Sequence, residues 1–200
     1  MPPSQWAAQP EALTTGVSKA RPSSTFLPPR TQPARSRYLR SLLQIAYYDQ
    51  KFGKDQWKSF IPRLEAAFAS AGVQGFTMDG KTGSSFNSHR LLTWTKETLG
   101  VEKQNELAEA LFKRYFLRGL PMCDINVLTD AADEVGIAGA RAFLESNAFT
   151  DEVNEELKYG RMRGISGVPH FIISCGDKEV EIGGAQPPQA LARAIESVTA

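Results

Sequence analysis

Apolar residues recur at helical spacing through the middle of the chain and give way to short β-rich runs near its C-terminal end. Leu39, Leu42, Leu43, Ala46 and Tyr47 form a stripe that predicts a helix over residues 38–52, with Gly53 as its C-cap. Asp55 stands where an N-cap is needed for a second helix, which carries Trp57, Phe60, Leu64, Ala67, Phe68 and Ala71 on one face. Pro62 lies inside that stretch and must kink or split it, and Gly72 ends it. A loop over 75–86 turns at Asp79-Gly80, and a third helix is expected from about Asn87 to Leu99. Residues 102–118 have the broadest apolar face, with Leu107, Leu111, Phe112, Tyr115 and Phe116, and predict one helix stopped by Gly119. Asp124 is the expected N-cap of a helix carrying Val127, Leu128, Ala131, Ala132 and Val135 and ended by Gly136. A short helix follows over 138–145. Thr150 is then expected to cap a helix with Asp151 and Glu152 in its first turn and Lys158, Arg161 and Arg163 at its basic end.

The pattern changes at Gly164-Ile165-Ser166-Gly167-Val168-Pro169. A β-rich run, His170-Phe171-Ile172-Ile173-Ser174-Cys175, follows at once, then a polar turn at Gly176-Asp177-Lys178 and a second run at Val180-Glu181-Ile182. After Gly183-Gly184-Ala185-Gln186 the prolines Pro187-Pro188 open a last helix, with Ala190, Leu191, Ala194, Ile195 and Val198 on its inner face. This reads as loop, strand, tight turn, strand, loop, helix. Two strands and a helix are half a domain, so another element must pack on the sheet. Pro169 has no N–H to give a ladder and fits only at the first residue or the edge of a strand. On local sequence alone a trans proline opening the strand is the default, although an X–Pro bond can be locked cis by a fold. A cis bond here would turn the backbone and leave the polar groups around Val168 facing outward, as a docking edge for an extended peptide or a thiol compound.

Composition changes the picture mainly at the N-terminus. Overall the chain has 42% hydrophobic and 22% charged residues and a net charge of +1, an ordinary globular balance with no nucleic-acid or membrane signal. No apolar run is long enough to span a bilayer. Residues 1–43 nevertheless hold six cations against Glu11, a net of +5. Residues 1–36 also contain seven prolines and no hydrophobic period. They read as disordered or as an altered start, with Phe26-Leu27 as a strand remnant. An Arg- and Ser-rich, acid-poor stretch also fits an organelle transit peptide, but its prolines oppose the amphipathic helix such a peptide forms. Two scattered cysteines favour a reducing compartment, so the expected location is cytoplasmic, with an organelle as the alternative.

Candidate chemistry is sparse. His89 and Arg90 invite a general-base or anion-clamp role, but without a nucleophile in motif spacing the expected roles are packing for His89 and a carboxylate partner for Arg90. Cys123 precedes a helix, whose dipole can lower a thiol pKa, while Cys175 ends the first β run. Each is better read as a small buried hydrophobe. A bridge between them has no geometric support in sequence. No phosphate loop, nucleophile elbow or metal-ligand spacing is present, so no cofactor, no metal and no catalytic residue is assigned.

Several motifs occur together in an order that resembles one family. They are Tyr47-Tyr48-Asp49-Gln50-Lys51-Phe52-Gly53, Asn87-Ser88-His89-Arg90-Leu91, and Leu111-Phe112-Lys113-Arg114-Tyr115-Phe116 with Gly119-Leu120. Gly-Val-Pro-x-Phe and Gly-Ala-Gln-Pro-Pro complete the series. Over about residues 45–198 the chain resembles the DsbA/FrnE-like thioredoxin-fold proteins, relatives of 2-hydroxychromene-2-carboxylate isomerase and kappa-class glutathione transferase. The resemblance implies a mostly helical α+β chain: a thioredoxin-like fold with an incomplete N-terminal half and an all-helical insertion. The expected division is an atypical segment over 1–36, the insertion over 37–163 and the C-terminal thioredoxin half over 164–200. It also implies a cis Val168–Pro169 bond, against the local default, and Val168 and Pro169 as substrate-binding residues, with a peptide or thiol substrate such as glutathione. The family's redox centre is a Cys-x-x-Cys pair, and this sequence has none. Three functions follow: a thiol–disulfide oxidoreductase by descent, a noncatalytic binding module, or a glutathione-dependent isomerase or transferase. An incomplete sheet predicts low stability, pairing with another chain as in a homo-oligomer, or an N-terminal segment folded back as substitute.

Overall fold

A computed structural model describes residues 42–200. The expectations for residues 1–36, the strand remnant and the folded-back segment lie outside the described residues. The described residues form two compact units, 42–156 and 157–200.

The first unit is helical, with one small ribbon. Leu42–Leu43 (β1) pairs antiparallel with Lys81–Thr82 (β2), and the Gln44 N–H donates to the Gly80 carbonyl at 2.9 Å. Residues 38–41 of the expected helix lie outside the described residues; within them α1 runs over Gln44–Phe52, and Leu42 and Leu43 are not part of it because ladder pairing holds them extended against their helical period. Gly53, at φ 94°, closes α1 with its N–H on the Asp49 carbonyl. Asp55 does not cap with its side chain as expected. It sits at φ 62° with its carboxylate on Lys58, and the Asp49 carboxylate instead accepts from the Asp55 N–H and the Trp57 indole. Pro62 splits the next stretch, as its ring requires, into a 3-10 turn over Gln56–Phe60 and a helix, α2 (Ile61–Ser70), with the proline in its first turn. The inner face expected for α2 is not deeply buried: Phe60 and Leu64 are exposed, while Phe68 stacks on Phe76 at 4.6 Å.

The core lies among α3 (Phe86–Leu99), α4 (Val101–Phe112), α5 (Ile125–Glu134) and α6 (Ala140–Glu145). Leu91, Leu107, Leu128 and Ile137 are fully enclosed there. Asp124 caps α5 as expected, its carboxylate accepting from the Asn126 N–H at 2.9 Å. The single helix expected over 102–118 is instead α4 followed by a π-helical turn, Lys113–Leu117. The wider turn lets the consecutive residues Arg114 and Tyr115 both reach buried positions, Arg114 onto the Ala110 and Asp130 carbonyls and Tyr115 against Thr82 and Gln44. After this turn Gly119 meets Gly80 backbone to backbone.

The helix α7 (Thr150–Met162) runs from the first unit into the second. In the second unit β3 (His170–Cys175) and β4 (Lys178–Gly183) form an antiparallel hairpin around Gly176-Asp177, so Lys178 belongs to the strand rather than to the turn. The last helix, α8 (Pro188–Thr199), packs on both strands and buries Ala194 and Val198.

Candidate functional site

The Val168–Pro169 peptide is cis. Pro169 immediately precedes β3, where its missing N–H leaves no gap in the ladder. Its carbonyl accepts from the Gly184 N–H at 2.8 Å, which makes Pro169 and Gly184 a hydrogen-bonded pair. Bonded and non-bonded pairs alternate along an antiparallel ribbon. With the register Phe171↔Ile182 and Ile173↔Val180, Phe171, Ile173 and Cys175 turn their backbone groups toward β4. Ile172 and Ser174 then turn theirs toward the opposite edge, which among the described residues has no strand beside it. Just ahead of that edge, Val168 is 48% exposed, and its N–H and C=O have no hydrogen-bond partner among the described residues. The two residues expected to bind substrate thus stand at the head of an open strand edge.

The two faces of the hairpin differ. One carries Phe171, Ile173, Val180 and Ile182, and the other His170, Ile172, Ser174, Glu179 and Glu181. Arg163, just past α7, donates to both Glu179 and Glu181 and to the Tyr159 hydroxyl. The second carboxylate oxygen of Glu181 meets His170 Nε2 at 2.8 Å. The His170 ring and then the Arg163 guanidinium hold the Glu181 carboxyl below the usual carboxylate range. The hydrogen bonds that Arg163 donates to Glu179, Tyr159 and Glu181 raise it above its ordinary value. Sequence reasoning took Arg163 only as the basic end of a helix and passed over Glu181. The available signal was the Glu179-Val180-Glu181-Ile182 alternation, which puts two carboxylates on one face.

The remaining candidates do not converge on chemistry. His89 Nε2 lies 3.2 Å from the Ser85 hydroxyl within α3 and its cap. Among the described residues Arg90 pairs with no carboxylate, contrary to expectation. Its guanidinium donates to the Ser146 and Ala148 carbonyls at 2.8 Å and to the Asn87 side chain at 3.0 Å, and it lies over the Phe143 ring. It ties α3 to the loop before α7. Cys123 is 0% exposed, and burial pushes its thiol pKa up, opposing any lowering by the helix dipole. Cys175 is half-buried at the end of β3, and both cysteines are free. Among the described residues no cluster of His, Cys, Asp and Glu could hold a metal ion, and no helix is long and apolar enough to cross a membrane.

The geometry agrees with the comparisons. The model of the DSBA-like thioredoxin domain matches residues 36–196. A probable DsbA oxidoreductase from Streptomyces coelicolor has a similar structure, with a TM-score of 0.68 and 24% identity over 81% of this chain and 69% of that one. No curated protein matches the chain. With a family match that takes in most of the chain, and a helical unit that precedes a proline-led hairpin and its closing helix, this protein belongs to the DSBA-like thioredoxin domain family.

Proposed function

We propose that this chain acts as a docking module of its family, taking an extended peptide or thiol compound at Val168 and along the outer edge of β3. One observation carries this reading: among the described residues, an exposed residue whose backbone donor and acceptor are both unpaired stands at the head of a strand with an open side. An added strand would gain main-chain hydrogen bonds there, each contributing about 0.5–1.5 kcal/mol net. Thiol–disulfide exchange needs an attacking thiolate and a second thiol to resolve the mixed disulfide. This sequence has no Cys-x-x-Cys, and its two cysteines lie 52 positions apart. The competing reading is a thiol–disulfide oxidoreductase, favoured by the naming of the Streptomyces coelicolor protein as a probable DsbA oxidoreductase. Two free thiols suit a reducing, cytoplasmic setting.

The test pairs two measurements on the full chain. Titration with a peptide of alternating valine and threonine, and separately with reduced glutathione, is expected to shift the Val168 and Ile172 amide resonances. An insulin-reduction assay is expected to show no turnover. Turnover restores the oxidoreductase, and an unshifted edge with both probes refutes docking.

A further inference from the structure

The Glu181 side chain holds both ends of the segment presenting Val168. Its Oε1 accepts from Arg163, the last residue before that segment, and its Oε2 meets Nε2 of His170, the first residue after it. Between these ends the backbone has few ties of its own. The Gly164 and Ile165 N–H groups bond back to Arg161 and Gly160 and finish the helix, and Pro169 is held by Gly184. Ser166, Gly167 and Val168 make no hydrogen bond among the described residues. A short loop with a free interior is ordered mainly by how firmly its ends are fixed.

The two contacts are themselves braced. Arg163 is held by Glu179 and by the Tyr159 hydroxyl as well as by Glu181, with its guanidinium over the Tyr159 ring. Glu181 lies on the central part of β4 opposite Ile172, between Val180 and Ile182, whose backbone groups the ladder holds. A lone exposed ion pair contributes little, but a network with bridging geometry on a rigid strand avoids much of the usual entropic loss.

We infer that Glu181 is a positioning residue, a two-ended staple that fixes the loop Gly164–Pro169 and so sets where Val168 presents its backbone to a docking strand. This rests on the docking reading for its consequence and on the geometry alone for the staple. Glu181 touches no substrate in this scheme; it acts through Arg163 and His170.

The experiment compares wild type, Glu181→Gln and Glu181→Ala by backbone 15N relaxation, with wild type also measured at high salt. Glutamine keeps shape and an acceptor but loses the charge, so it guards against a variant that fails to fold. Expected are increased motions of Gly167 and Val168 in both variants, and in wild type as salt screens the network, with Phe171 and Ile173 unchanged. A merely structural role would move all four amides together. Affinity for the valine–threonine peptide is expected to fall about three- to tenfold in Glu181→Ala, the scale of one or two partly exposed ion pairs. Unchanged motion at Gly167 and Val168 in both variants, or loosening of the whole hairpin, overturns the staple. Should wild type bind no peptide while those two amides still loosen selectively, docking fails and the staple stands.

Discussion

The Gly184 N–H and the Pro169 carbonyl, 2.8 Å apart, fix the phase of the whole hairpin. From that one bond the alternation of an antiparallel pair assigns Phe171 and Ile173 to the closed side and Ile172 and Ser174 to the open side. Amide exchange should follow the same alternation. The Phe171 and Ile173 amides are expected to be protected, and those of Ile172 and Ser174 to exchange quickly. Adding the valine–threonine peptide should slow Ile172 and Ser174 while leaving Phe171 and Ile173 as they were. Equal protection at all four positions without ligand would mean that the far edge is already covered.

Gly80 and Gly119 let β2 meet the end of the π-helical turn. An added side-chain carbon at Gly80 would sit 2.5 Å from the Gly119 Cα, and one at Gly119 would sit 2.7 Å from the Gly80 Cα. The Gly119 carbonyl accepts from the Lys81 N–H at 2.8 Å, so neither backbone can retreat without losing the bond. Gly119 also stands at φ 61°, a region that other residues enter at a cost. Either glycine changed to alanine should destabilise the chain by about 1–3 kcal/mol, the scale of overpacking. Denaturant unfolding measures this, and Gly75→Ala serves as control, since that position has positive φ but open space around it.

The two thiols should differ in reactivity. Cys123 is enclosed, and burial raises its pKa, so at neutral pH it should react with a thiol reagent only as fast as the fold opens. Cys175 is half-buried at a strand end and should react first. Cys175→Ser should remove the fast phase and leave the slow one, and Cys123→Ser the reverse. Equal rates for both thiols in the native chain would contradict the burial of Cys123.

Where the sequence carries a local chemical mark, the fold was legible in it. Asp124 announces α5, Pro62 announces the break before α2, and two β runs around Gly176-Asp177 announce the hairpin. The resemblance to the family rested on the same marks, and the match over 36–196 bears it out. Elements decided by distant partners were not legible. Leu42 and Leu43 fit a helical stripe and become a strand only because Lys81 and Thr82 are there to pair. Arg90 is a cation that ends on the carbonyls of Ser146 and Ala148, more than fifty positions away, which no periodicity encodes. The same holds at the candidate site. Val168 and Pro169 could be named from the chain, but Glu181 owes its place to a strand register and to an arginine delivered by another element.

That register makes the loop's attachment depend on acidity. Glu181 faces His170 across the hairpin and Arg163 from beyond α7, while Glu179 and Tyr159 share the same arginine. The His170 contact first and the Arg163 contact second hold the Glu181 carboxyl below the usual range. A carboxyl whose pKa is lower folded than unfolded stabilises the fold wherever it is ionised. That contribution is present above the ordinary carboxylate value and is lost as pH falls through the lower, folded value. The staple should therefore hold from neutral pH down through the range where free glutamates protonate, and release only below it. A 13C titration of the side-chain carboxyls is expected to show Glu181 protonating below the range of a glutamate in a short unstructured peptide. The Val168 amide should broaden in step with Glu181. If Glu181 titrates with the ordinary glutamates, or the Val168 resonance follows them, the loop is held by something other than this carboxylate.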